Sequence, residues 1–205
     1  MFGSERQVGR LLWAAISAVP AWLLLAACAA AQTQTPDCRI DLPSTIHQPY
    51  WTFDQTPGSG WRPVAEIHGC EQVAANLIAE WINANAGQID EHHVKLIRRH
   101  EAILRALAGE TQRAIVLLVT TRDAQDPEQA GFTDATLAFL RHDRAALAAA
   151  REAYAALPAP AGYAVTAQWL QSLGRPAAWP PALAEIDNLL HCTDAPYYDA
   201  RQGRC

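Results

Sequence analysis

The chain has 205 residues, 16 basic and 21 acidic side chains for a formal net charge of −5, and is 50% hydrophobic. That balance gives no electrostatic case for nucleic-acid binding, which needs clustered positive charge, and the length supports one domain with a real core. Lys95 is the single lysine and no polybasic run occurs, so no charged patch is available to hold an anionic membrane surface.

Met1 to Ala27 has the layout of an export leader: Arg6 and Arg10 in a short head, an apolar body from Leu11, and small residues at its end. Leu25-Ala26-Ala27-Cys28 closes that body and resembles the lipobox of bacterial lipoprotein signal peptides. The resemblance implies that the Cys28 thiol is acylated and the chain is cut just before it. The protein would then be anchored by lipid in the cell envelope and face the periplasm. Ala29, where an aspartate would favour inner-membrane retention, points to the outer membrane. Two alternatives stay open. Ala29-Ala30-Ala31 also fits ordinary cleavage, which would release a soluble periplasmic or secreted chain. The apolar body, about 17 residues, is just long enough to remain as an uncleaved anchor. All three readings carry the rest of the chain out of the cytoplasm. Losing Glu5, Arg6 and Arg10 with the leader leaves 14 basic and 20 acidic side chains, a net charge of −6.

Five cysteines are an odd number for an exported protein. Assigning Cys28 to lipid leaves Cys38, Cys70, Cys192 and Cys205, an even set suited to disulfides. Three connectivities are possible. Cys38–Cys70 with Cys192–Cys205 is preferred because the second bridge would tie down a polar tail; the rival staples Cys38 to the C-terminal pair. No two of the four have zinc-ligand spacing.

Residues 29–60 read as irregular, with Gln32 to Pro36 as a polar tether and Pro43, Pro49, Pro57, Gly58 and Gly60 opposing long helices. Tyr50-Trp51-Thr52-Phe53 alternates like a short extended piece and would lay aromatic rings over one end of a helical domain. From Trp61 the period becomes helical. Val73, Leu77, Ile78 and Trp81 share one face of a helix over 71–84, with Glu71 in its first turn and Gly87 as a stop. Leu96, Ile97, His100, Ile103, Leu104 and Leu107 form the clearest apolar stripe, ended by Gly109. Thr111 opens the next helix. Its run Ala114 to Val119 could also be a buried strand, but no second strand candidate exists to pair with it.

Asp123 to Gly131 reads as a polar loop containing Pro127, and Thr133 as the cap of a helix with Leu137, Phe139 and Leu140. Asp143 marks a break and caps the helix carrying Leu147, Ala150, Tyr154 and Leu157, which Pro158 and Pro160 end. Shorter helices follow at about 165–173, stopped by Gly174, and about 181–191, with Pro181 in its first turn. The expected fold class is all-α: stacked antiparallel helix hairpins in a short solenoid. Its parts are a leader at 1–27, a tether and irregular arm at 28–60, a helical-hairpin domain at 61–191 and a disulfide-tied tail at 192–205.

Gly69, Gly109 and Asp143 each fall between two helices of a pair. Ala74, Ala114 and Ala148 stand five residues later, and Ile78 and Leu118 nine residues after the first two, where Glu152 breaks the third. Ala102 and Thr136 lie seven before the second and third turns. Over 61–157 this resembles the tetratricopeptide repeat, in which a small residue brings helix A against helix B and a glycine turns the chain. Arg105 departs from the pattern where a tyrosine is usual, and Asp143 where a glycine is. Phe53 to Arg62 is also similar to the opening of a group of bacterial exported helical proteins, a likeness that implies no activity.

Candidate chemistry is sparse. His93 and His100 share a helix face but sit about 10 Å apart along it, too far for one metal. His100-Glu101 begins like a zinc-protease helix, but Leu104 stands where the second histidine must be. Ser59 in Pro57-Gly58-Ser59-Gly60 lacks both the spacing and the strand of a nucleophile elbow. Asp90-Glu91 reads as a helix start, and Asp123, Asp126 and Glu128 as a solvated loop. No catalytic residues, cofactor or metal are assigned. Trp51, Phe53, Trp61, Trp81, Trp169 and Trp179, with Tyr50, Tyr197 and Tyr198, read as packing over the ends of the stack or as a recognition surface. The expected function is a non-enzymatic, lipid-anchored interaction module for an envelope protein or peptide. The alternatives are a structural envelope lipoprotein, or a hydrolase whose site forms only on folding, with His47 or His68 beside an acidic residue.

Overall fold

A computed structural model describes residues 36–175 and 177–205. Cys28 and the leader lie outside the described residues. Among those described, every regular element is helical and no strand occurs. In order they are α1 (Leu42–Thr45), a π-helical turn at Trp51–Gln55, α2 (Arg62–Ala65), α3 (Glu71–Ala84), α4 (Glu91–Leu107), α5 (Thr111–Thr121), α6 (Pro127–Leu140), α7 (Arg144–Ala155), α8 (Tyr163–Ser172), α9 (Leu183–His191) and α10 (Tyr197–Ala200). None of the described helices is long and apolar enough to cross a membrane.

The helices pack as sequential pairs. α2 lies on α3, α3 on α4, α4 on α5, and α6 on α7; α9 closes against α6 and α7, and α10 reaches back to α4. The long helix α4 is the spine. Its Ile97 and Leu104 enter a core shared with Phe53, Trp61 and Trp81, while Ala102 and Ala106 enter a second core with Leu118, Leu147 and Tyr154. α5 buries Ala114 and Leu118 and exposes Val116 and Val119. The apolar run at 114–119 is therefore an amphipathic helix and not a strand.

Three helix starts are capped by aspartates. The side chains of Asp90, Asp126 and Asp143 accept the backbone N–H of His93, Gln129 and Ala146 at 2.9, 3.0 and 2.9 Å, capping α4, α6 and α7. The cap at Asp126 corrects the loop expected over Asp123 to Gly131. Pro127 is the first residue of α6, where its missing N–H costs nothing. Thr133 consequently lies inside α6, 1% exposed, and caps nothing.

Two of the turns between paired helices, α4–α5 and α6–α7, share one geometry. At Gly109 (φ +76°) the Glu110 N–H bonds back to the Arg105 carbonyl, and the α6–α7 turn repeats this with Asp143 N–H on Ala138. That is a Schellman ending. Its left-handed residue in α6–α7 is His142 (φ +56°), one position before the Asp143 expected from sequence. Moving the register by one aligns buried positions of the two hairpins, Ala102 with Ala135, Ala114 with Leu147 and Thr121 with Tyr154, although buried Leu118 then matches the part-exposed Arg151.

Arg105 is wholly buried and replaces a packing side chain with a charged network. Its guanidinium donates to Glu101 Oε1 (3.1 and 3.3 Å), Asn76 Oδ1 (2.7 Å) and Glu110 Oε2 (2.8 Å), joining α3, α4 and the α4–α5 turn. Arg98 adds a bond to Glu101 at 2.7 Å. Arg105→Met leaves two carboxylates under-compensated and should cost about 3–5 kcal/mol of stability. Urea unfolding of the disulfide-intact protein checks this; a loss below about 1 kcal/mol would contradict the network's role.

Candidate functional site

The arm before α3 is less irregular than its prolines suggest. The Cys38–Cys70 disulfide (Cα–Cα 5.5 Å) ties it to the start of α3. Trp81 Nε1 donates to the Gln48 carbonyl at 2.9 Å and Asn85 Nδ2 to that of Ile46 at 3.0 Å. Tyr50 to Phe53 is therefore part of a helical turn and not an extended piece. Its side chains diverge: Phe53 stacks on Trp81 with centroids 4.6 Å apart, whereas Trp51 is 65% exposed.

Asp54, the next residue, is 0% exposed. Its Oδ1 accepts from Trp61 Nε1 at 2.9 Å and lies 2.7 Å from His100 Nδ1; its Oδ2 accepts from Gln55 Nε2 at 2.5 Å and Tyr50 OH at 3.3 Å. Arg62 donates to its carbonyl through Nε at 2.9 Å. Gly60 permits this fold-back: at φ +61° a Cβ there would sit 1.8 Å from the Phe53 carbonyl oxygen. Burial pushes the Asp54 carboxyl up, but the His100, Trp61 and Gln55 bonds outweigh it and hold it below the usual aspartate value. Burial and the Asp54 charge together push the Tyr50 hydroxyl up to about 12.

Asp54 thus fixes two rings, Trp61 and His100 (centroids 5.3 Å apart), on the wall of a cavity of about 440 Å³. The arm contributes Trp61 and Ala65; α4 contributes Arg99, His100, Ile103, Leu104 and Leu107; α6 contributes Glu128 and Phe132. Ala182, Glu185 and Arg201 complete it from the C-terminal side. With His100 Nδ1 engaged by Asp54, its Nε2 edge is the one left for the cavity. Arg201 Nε pairs with Glu185 Oε1 at 2.6 Å, and Tyr154 OH donates to Glu128 Oε1 at 3.1 Å. Burial raises the Glu185 carboxyl above its ordinary value despite Arg201.

The second disulfide, Cys192–Cys205, joins residues 13 positions apart around α10 and so carries Arg201 to the cavity. His68 stacks on Tyr198 at 4.1 Å, which joins the two stapled ends of the chain. His191, Cys192 and Cys205 come within 4.8 Å of one another, but the sulfurs are joined and present no thiolate to a metal.

The histidines expected to matter if a site formed on folding lie elsewhere. His47 is exposed, and His68 bonds Glu71 at 3.1 Å with a side chain 71% exposed. His93 bonds its own cap residue, Asp90, at 2.6 Å. Among the aromatics, Trp61 and Tyr197 pack inside, whereas Trp169, on the wholly unburied α8, is 57% exposed. Sequence reading missed Asp54, whose one signal was a carboxylate set within an aromatic segment. No family model, curated protein or solved structure matches the chain.

Asp54→Asn should cost about 2 kcal/mol at neutral pH, the worth of charge-assisted bonds to a buried carboxylate. A depressed carboxyl stabilises the fold fully above its unfolded pKa and loses that contribution as pH falls through the folded value. The gap between wild type and variant should therefore narrow below about pH 4. Denaturant titrations at both pH values check this, and an unchanged gap would contradict it.

Proposed function

We propose that the chain is an exported, lipid-anchored binding module, and that its cavity receives the anchoring group of a peptide or partner protein. The observation that carries this reading is the cavity itself. Its volume of about 440 Å³ falls within the range of ligand sites, and it combines an apolar wall with a few oriented polar groups. The two disulfides fit an oxidising, exported compartment. The tetratricopeptide-like reading is supported by the shared turn geometry and by α4 and α6, the first helices of successive hairpins, both lining the cavity. The lipid at Cys28 would concentrate the module at the membrane on a short tether.

A hydrolytic reading is favoured by one observation, the buried Asp54 carboxylate orienting His100 toward the cavity. The lining residues include no Ser, Thr or Cys, so such a base would act on water. His100→Gln abolishing turnover of chromogenic esters would support that reading over simple binding.

Two measurements test the proposal. A photo-crosslinking residue at Ile103, in the cavity wall, should capture a discrete, stoichiometric adduct in intact cells, and one at Val116, on the outer face of α5, should not. Diffuse labelling from both positions would count against a binding cavity. Fatty-acid labelling should mark the wild type and not Cys28→Ser; label retained in the variant would refute the anchor.

A further inference from the structure

The charged groups of the cavity wall are not equally provided for. His100 has Asp54, Arg201 has Glu185, and Glu128 has the Tyr154 hydroxyl. Arg99 is the exception among the wall's cations: it has no hydrogen bond or ion pair among the described residues, and its buried Nε is without a partner; Glu185 Oε1 likewise makes no hydrogen bond, although Arg201 Nε lies 2.6 Å away. Its neighbour Arg98 bonds Glu101 at 2.7 Å, so a shortage of local carboxylates is not the cause. Arg99 instead lines the cavity, one turn before Ile103. A guanidinium is always charged, and a desolvated donor without an acceptor is costly. An anionic acceptor entering the cavity would give the guanidinium a counter-charge through a charge-assisted bond.

Resting on the reading of the cavity as a ligand site, we propose that Arg99 anchors a single carboxylate carried on an apolar body, which lies against Trp61, Leu104, Leu107 and Phe132. The wall decides the class. A neutral ligand would leave the Arg99 charge without a counter-charge. A dianionic phosphate would meet Glu128 and Glu185 at close range, whereas one carboxylate matches the guanidinium fork with half the repulsion. The apolar share of the wall asks for an aliphatic or aromatic body. Such a carboxylate could belong to a free fatty or aryl-alkanoic acid, or to the end of a peptide with an apolar last residue.

The test is calorimetric titration of the full chain, exported as Cys28→Ser with its disulfides intact. The probes are decanoate, 4-phenylbutanoate and an acetylated tetrapeptide ending in Leu-Phe, each beside its neutral alcohol or carboxamide. At least one acid should bind saturably and at least tenfold more tightly than its neutral counterpart. Arg99→Gln should weaken that binding at least tenfold without lowering the melting temperature, and Arg99→Lys should recover part of it. Tight binding by the small acids alone identifies a free acid as the source; binding by the peptide acid alone identifies a chain terminus. Equal binding of acid and neutral forms, insensitivity to Arg99→Gln, or no saturable binding of any acid would overturn the carboxylate assignment. Binding lost in Phe132→Ala but unaffected by Arg99→Gln would overturn it while keeping the cavity as the site. Failure of the Ile103 crosslink would instead remove the cavity.

Discussion

One buried carboxylate organises the junction of the arm with α4. Asp54 has no solvent to share its charge, so its position is set by the donors that surround it. Those donors come from three places in the chain: its own turn, the residue that opens α2, and the middle of α4. Satisfying them folds the arm onto the spine helix and aims Trp61 and His100 at the cavity. A buried charge deprived of one partner is penalised more than an ordinary contact is missed. The arrangement is therefore closer to all-or-none than the apolar packing around it.

Disulfides and charge networks divide the work of holding the cavity together. Cys38–Cys70 restricts the arm that carries Asp54, and Cys192–Cys205 restricts the tail that carries Arg201 to Glu185. Shortening these loops in the unfolded chain lowers the entropy lost when they dock. The hairpins between them are held by burial and by polar ties, of which the Arg105 network is the most deeply buried and Arg122–Asp134, Gln129–Thr121 and Arg151–Asp187 are others. The cavity opens where the stapled ends meet α4, α6 and the α9 side, which makes it a property of the whole fold and not of one hairpin.

The hairpins were legible in the sequence because their signals are local. The apolar stripe of α4, the cap at Asp143 and the stop at Gly109 each depend on residues within one or two helical turns. The failures were also local. Pro127 looked like a breaker because its cap, Asp126, was read as part of a solvated acidic loop. His142 was passed over because the left-handed turn position is usually glycine, so the third turn was placed one residue late. The site was not legible. Asp54 and His100 are 46 residues apart and neither belongs to a spaced motif. Arg105 was visible only as a departure from a repeat pattern, since nothing nearby in sequence showed that Asn76 would meet it.

Asp54 and His100 act as one latch between the arm and α4. A double-mutant cycle with Asp54→Asn and His100→Gln, read by urea unfolding at neutral pH with both disulfides intact, measures that link most directly. A coupling energy of about 1.5–3 kcal/mol is predicted for a charge-assisted bond in a buried setting. Additivity within about 0.3 kcal/mol would show that the two residues stabilise the fold independently and would contradict the latch.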